Sequence, residues 1–322
     1  MQPLRRVVVA AAALACLAPT AQASSPGANG TIAFVANASS DLLFNHVRLV
    51  SDIAAAPPTG GAVALLSRTG PKLLEADPAW SPQGDRLAFS RARRGKPRNI
   101  FVANADGSGL TRLTFRLPGA SSPTWSPDGS RIAFVRAGDI WVMNADGSDE
   151  QPIAVTDAVE ARPRWSPGGG AIAFIDVSDP EQATLWTMGE DGADRRQLTP
   201  PATTDENADW SPDGSRLVVE RRTFDERAGG DGFGLVTVAA DGSDERRIFD
   251  ATYHAGVGDP SWSPDGQQIA FTAGIFGYCW IETVPLGADG LPSGAGGEVA
   301  GDLFDGGLYC HSSPAWQPLP AP

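Results

Sequence analysis

Six polar residues stand three positions ahead of a tryptophan in this 322-residue chain: Asp77, Ser122, Arg162, Asn207, Asp259 and Ser313 precede Trp80, Trp125, Trp165, Trp210, Trp262 and Trp316. Side chains of this kind suit a cationic peptide segment or a divalent cation, and Asp77, Asn207 and Asp259 carry the hard oxygens that Ca2+ takes. Arg162 opposes a cation in the same place, so a solvated polar ring is preferred to a metal site and no cofactor is expected. His254 and His311 lie upstream of two of these tryptophans, and Glu75, Glu160, Asp205 and Glu206 add acidic character nearby. In a catalytic reading the two histidines would serve as general base or metal ligand; satisfied or solvent-facing imidazoles are the preferred account. The chain has no Gly-x-Ser-x-Gly elbow, His-Glu-x-x-His, Cys-x-x-Cys or phosphate-cradling glycine loop, so those chemistries have no residue set here.

What could bring six such positions together is a repeat. The tryptophans sit in Trp-Ser-Pro five times and Trp-Gln-Pro once, at intervals of 45, 40, 45, 52 and 54 residues. Seven residues after each of the first five begins an apolar strand, as in Leu87-Ala88-Phe89 and Ile132-Ala133-Phe134. A further copy, Ile32-Ala33-Phe34, has no tryptophan before it, and Trp316 has no such strand after it. Asp-Gly pairs mark tight turns, and each unit reads as a four-stranded antiparallel meander. That period and strand count mean an all-β, six-bladed β-propeller, closed by pairing the N- and C-terminal segments, which also removes two aggregation-prone edges. The tryptophans are expected to be wedges between blades. Antiparallel alternation then places the residues before strand one at the mouth of the central channel, on the same face as the turns between strands two and three.

The first 23 residues read as an export signal: Arg5 and Arg6, the apolar run Val7 to Ala18, then Ala21-Gln22-Ala23. Lipid attachment at Cys16 is the second choice, because Ala13 stands where such signals carry a larger aliphatic residue. Residues 24–322 are expected to form the propeller, without a transmembrane segment, in the periplasm or secreted. The chain carries a net charge of −13, or −15 once Arg5 and Arg6 are removed, which opposes nucleic-acid binding. Against that charge stand a basic loop, Arg91 to Arg98, and a mixed one, Arg221 to Asp231. Cys279 and Cys310 are expected to form a disulfide, Cys279 at the start of strand three and Cys310 ahead of strand one, since export brings oxidation.

The pattern Pro-x-Trp-Ser-Pro-Asp-Gly-x-x-Ile-Ala-Phe, running from Pro123 to Phe134 and, with Gln268 before Ile269, from Pro260 to Phe271, resembles the WD40-like PD40 repeat of the TolB family. That resemblance implies a six-bladed propeller. The family's N-terminal α/β domain is not expected here, since the first repeat strand starts about eight residues after the expected cleavage site, and the hydrolase fused to related propellers is not expected after Trp316. The function that follows is a non-enzymatic, monomeric binding module for a protein or peptide, a cell-envelope component among the candidates. The alternative is a metal-dependent propeller enzyme of lactonase or lyase type.

Overall fold

The computed structural model describes residues 28–40, 48–67, 72–153, 155–179, 181–225, 230–250, 255–275, 278–300 and 309–319. Every regular element among them is a β-strand, and the architecture is an all-β propeller. Three four-stranded antiparallel sheets stand apart: β8 to β11 (Ser121–Trp125, Arg131–Arg136, Asp139–Asn144, Gln151–Pro152); β12 to β15 (Glu160–Trp165, Ala171–Asp176, Thr184–Gly189, Arg196–Gln197); and β16 to β19 (Thr204–Trp210, Arg216–Asp225, Gly230–Ala239, Arg246–Asp250). The remaining strands are β1 to β3 (Ala28–Ser40, Arg48–Ala56, Ala64–Leu65), β4 to β7 (Leu73–Trp80, Arg86–Arg93, Asn99–Asn104, Thr111–Arg112), and β20 to β24 (Ala255–Trp262, Gln268–Ile275, Tyr278–Pro285, Gly297–Ala300, Tyr309–Leu319). They form one twelve-stranded sheet.

The repeat implies six separate sheets, whereas hydrogen bonding gives four. Two one-residue parallel pairs lie within the twelve-stranded sheet: Ser51 opposite Leu74 joins β2 to β4, and Cys279 opposite Cys310 joins β22 to β24. Between those pairs the ladders are antiparallel. β24 pairs with β1, Trp316 opposite Ile32 and Leu319 opposite Ala28, so strands from the two ends of the described chain share a sheet. Cys310 lies inside β24, not ahead of it as the sequence suggests, because that strand already begins at Tyr309.

The repeated turn explains why strand one meets strand two where it does. In Ser126-Pro127-Asp128-Gly129 the Gly129 N–H donates to the Ser126 carbonyl at 2.8 Å. The Ser126 hydroxyl donates to Asp128 Oδ1 at 2.5 Å and accepts the Arg131 N–H at 2.9 Å. Of the Asp128-Gly129 pair only Gly129 takes a positive φ, at 72°. Pro127 locks the right-handed first half of the turn, and a single left-handed residue then closes it.

The core lies between neighbouring strand sets. One cluster combines Ala173 and Ile175 of β13 with Trp210 and Leu217 of the next set, and another joins Val35 and Ile53 to Trp80 and Leu87. The six repeat tryptophans are 5% to 8% exposed. Trp125, Trp210 and Trp316 each donate their indole N–H to the carbonyl just before the preceding unit's tryptophan, at Ala79, Arg164 and Ser261, all at 3.1 Å. Trp165 instead donates to Gly169 of its own turn at 2.8 Å.

Candidate functional site: the central channel

The residue three before each tryptophan sits at a β-bulge in five of the inner strands: the pairing registers slip between Ala76 and Ala79, Ser121 and Thr124, Ala161 and Arg164, Gly258 and Ser261, and Ser312 and Ala315. An extra residue on one strand turns its side chain out of the ladder. Asp77, Ser122, Arg162, Asp259 and Ser313 accordingly hold left-handed φ values of 49° to 55°, a conformation that strains non-glycine residues and persists where surrounding structure enforces it. Asn207 departs from the pattern. Its strand slips one residue earlier, between Asp205 and Asn207, and Asn207 pairs with Glu220.

All six residues line one cavity of about 240 Å³, together with the six repeat tryptophans. Read along the inner strands, these six positions form one polar level of the cavity; Thr124, Arg164, Asp209 and Ser261 belong to a middle level, and the tryptophans with prolines such as Pro82 and Pro127 to a third. The mouth residues are bonded to each other across the channel. Arg162 Nη1 donates to Asp259 Oδ1 at 2.9 Å, and Asn207 Nδ2 donates to the same oxygen at 2.9 Å. The Ser313 N–H and hydroxyl donate to Asp259 Oδ2 at 3.2 and 3.3 Å. On the other side Asp77 Oδ2 accepts from the Ser90 hydroxyl at 2.7 Å and from the Ser122 N–H at 3.2 Å.

Behind Asp259 lies Glu220, 8% exposed, whose Oε2 accepts the Asp259 N–H at 2.8 Å. Burial, reinforced by the negative charge of Asp259, pushes the Glu220 carboxyl up to about 8. At the middle level, enclosure by protein raises the Asp209 carboxyl against the pull of Arg164, while Asp209 Oδ2 accepts the Trp262 N–H at 2.9 Å. Sequence reasoning missed Glu220, Arg164 and Asp209. A signal for Glu220 existed: it occupies the strand-two position held by Val135, Ile175 and Thr272 in other units, where a carboxylate has no packing reason to be.

Three acids expected at the mouth are not there. Glu75, Glu160 and Asp205 are 0% to 1% exposed and sit between strand sets. Each is held by an arginine, Glu75 by Arg91, Glu160 by Arg195 and Asp205 by Arg221. Each also reaches the preceding set: the Ile53 N–H donates to Glu75 at 3.0 Å, the Ile140 N–H to Glu160 at 3.1 Å, and the Thr199 hydroxyl to Asp205 at 2.6 Å. Two residues further from the tryptophan, in strands that run along the channel, is enough to move a side chain from its wall into the seam. The same pairing removes Arg91 from the basic loop and Arg221 from the mixed one; Arg93, Arg94 and Lys96 remain exposed. Glu206 lies against Arg222 at 3.5 Å. His254 is outside the described residues, as are residues 1–27 with the expected export signal and Cys16. His311 lies in β24 opposite Ala36, its side chain outside the described set. Among the described residues no group of three His, Cys, Asp or Glu is placed to hold a metal, and no helix is long and apolar enough to cross a membrane.

The family model of the TolB beta propeller domain, PD40, matches residues 69–265. The chain belongs to the TolB β-propeller family. Two TolB structures share the fold: one from Acinetobacter baumannii at TM-score 0.67 and 18% identity, covering 90% of this chain and 67% of that one, and one from Agrobacterium tumefaciens at TM-score 0.60 and 18% identity, covering 91% and 100%. An oligogalacturonate lyase in complex with manganese aligns at TM-score 0.51 and 13% identity over 85% of this TolB-family chain and 74% of its own. No curated protein matches the sequence.

Proposed function

We propose that this TolB-family protein is a non-enzymatic binding module that captures a protein or peptide segment at the channel mouth and adjoining face. The observation that carries the reading is the convergence of six repeat positions on one cavity, with strained backbone at five of them. Strain of this kind belongs at places where side chains must be aimed. The proposed ring has six blades: taking the pairs at Ser51 and Cys279 as contacts between blades divides the twelve-stranded sheet into three sets of four. Residues 24–322 make up that ring. The protein is exported, periplasmic or secreted, after removal of residues 1–23. Cys279 is disulfide-bonded, and we assign its partner as Cys310, its register neighbour.

The alternative, a metal-dependent lyase-type enzyme, draws on the fold likeness to oligogalacturonate lyase. The Arg162 guanidinium bound to Asp259 at the mouth disfavours a cation there. Panning a random peptide library on the wild type, then on Arg162→Ala/Asp259→Ala, separates the readings. Peptides retained only by the wild type support a peptide-binding mouth; no enrichment, or equal retention by both, sinks it. A melting temperature lowered by chelator would support the metal reading.

A further inference from the structure

A second cavity, of about 250 Å³, lies away from the channel between β2–β3 and β5–β6. One face of β5 forms its wall, because Leu87, Phe89 and Arg91 alternate along that strand and point the same way. Those residues span about 13 Å at the usual rise per residue. Ile53 and Leu66 line the opposite side, and Leu110, 45% exposed, stands at the mouth.

The cavity has a sequence cause. The last core position of strand three faces the first residue of the apolar strand: Met143 opposite Ile132, Met188 opposite Ile172, Val238 opposite Leu217 and Val284 opposite Ile269. At the corresponding place opposite Leu87 stands Ala103. The other alanine of the series, Ala56 opposite Ile32, belongs to the cluster of Ile281, Val299 and Trp316. Where two sister units carry a methionine, this one has an alanine, packed with Ile53, Leu87 and Phe89 at the edge of the cavity. A close-packed fold does not leave such space between Ile, Leu and Phe side chains without cost.

The lining also sets the class of guest. Arg91 is the one charged residue among the described lining residues, and its charge is already matched: Nε donates to Glu75 Oε1 at 2.7 Å, and the guanidinium lies 5.3 and 4.9 Å from the ring centres of Phe89 and Phe101. Among the described lining residues a charged guest would find no counter-charge left to it. An apolar cavity of about 150 Å³ takes benzene; this larger one adds Ser67 and Asn104 to its apolar lining and suits a two-ring molecule with a polar edge. We infer that the cleft between β2 and β5 binds a small uncharged aryl or alkyl molecule, independently of whatever occupies the channel.

The probe is N-phenyl-1-naphthylamine, uncharged and fluorescent in apolar surroundings, titrated into the full-length protein. The expected result is saturable one-to-one binding to the wild type, weakened at least tenfold in Ala103→Met, with Arg162→Ala at the channel mouth unchanged. Should Ala103→Met lack a cooperative melt, Ala103→Val takes its place, with an expected loss of at least threefold. Absence of saturable binding to the wild type overturns the inference. So does equal affinity in the folded cavity-filling variant, or a loss confined to Arg162→Ala.

Discussion

Arg162 and Asp259, 97 residues apart in sequence, meet at 2.9 Å across the channel mouth. Their side chains are 40% and 20% exposed, and exposed pairs contribute only about 0 to 1 kcal/mol. Arg162→Ala should therefore lower stability by less than about 1 kcal/mol while abolishing retention of mouth-selected peptides. Denaturant unfolding and peptide titration on the same preparation check both halves; a large stability loss would mark the pair as structural.

Glu220 gives the fold a pH dependence whose sign can be worked out. Its carboxyl is raised to about 8 in the folded state from an ordinary 4.5, so the folded protein holds this proton more tightly than the unfolded chain. The stabilisation is complete below about pH 4.5 and is lost as pH rises towards 8. Glu220→Gln should flatten the decline in melting temperature between pH 5 and 8 by removing this contribution; an unchanged slope would exclude Glu220 as its source.

Asp205 is fully buried and bonded to Arg221 and Thr199. Removing one partner of a buried ion pair strands the other, at a cost of roughly 3 to 5 kcal/mol. Asp205→Ala should show that loss in urea unfolding. Asp244→Ala, at an exposed carboxylate shared by Arg216 and Arg246, should leave the urea midpoint much closer to that of the wild type.

Trp125 separates packing from hydrogen bonding. Trp125→Ala should lose about 3 to 5 kcal/mol through the cavity it leaves. Trp125→Phe keeps much of the ring but surrenders the bond to the Ala79 carbonyl, adding about 1 kcal/mol for that bond to a smaller packing loss. Chemical denaturation of the two variants gives the ratio.

The Cys279–Cys310 pairing is testable by mass. A cross-linked peptide containing both cysteines is expected from the unreduced protein, with about 3 to 4 kcal/mol of stability lost in Cys310→Ser. Two alkylatable thiols at these positions would contradict it.

The repeat made the mouth legible. Asp77, Ser122, Arg162, Asn207, Asp259 and Ser313 follow from spacing alone, because equivalent residues of a closed repeat must converge, and the cavity does collect them. What spacing could not reveal is which polar residues face the channel and which face the seam. Glu75 and Asp77 differ by two positions, yet the intervening bulge puts one against Arg91 and the other in the mouth. Asn207 shows the limit in the other direction: it keeps the spacing, but its Oδ1 accepts the Ala208 N–H at 3.0 Å and its strand pairs through it. Glu220 and Ala103 were visible only as departures from the repeat, and departures acquire meaning once their neighbours are known.

The antiparallel register of β1 against β24 also has a mechanical meaning. Ala28 and Leu319 lie opposite one another at the same end of that ladder, so tension drawn outwards through both would fall on one rung at a time instead of being shared along the strand. The disc is thus most easily opened like a zip fastener, from that corner inwards, and the tryptophan packed beside Ile32 becomes the first substantial obstacle to the tear.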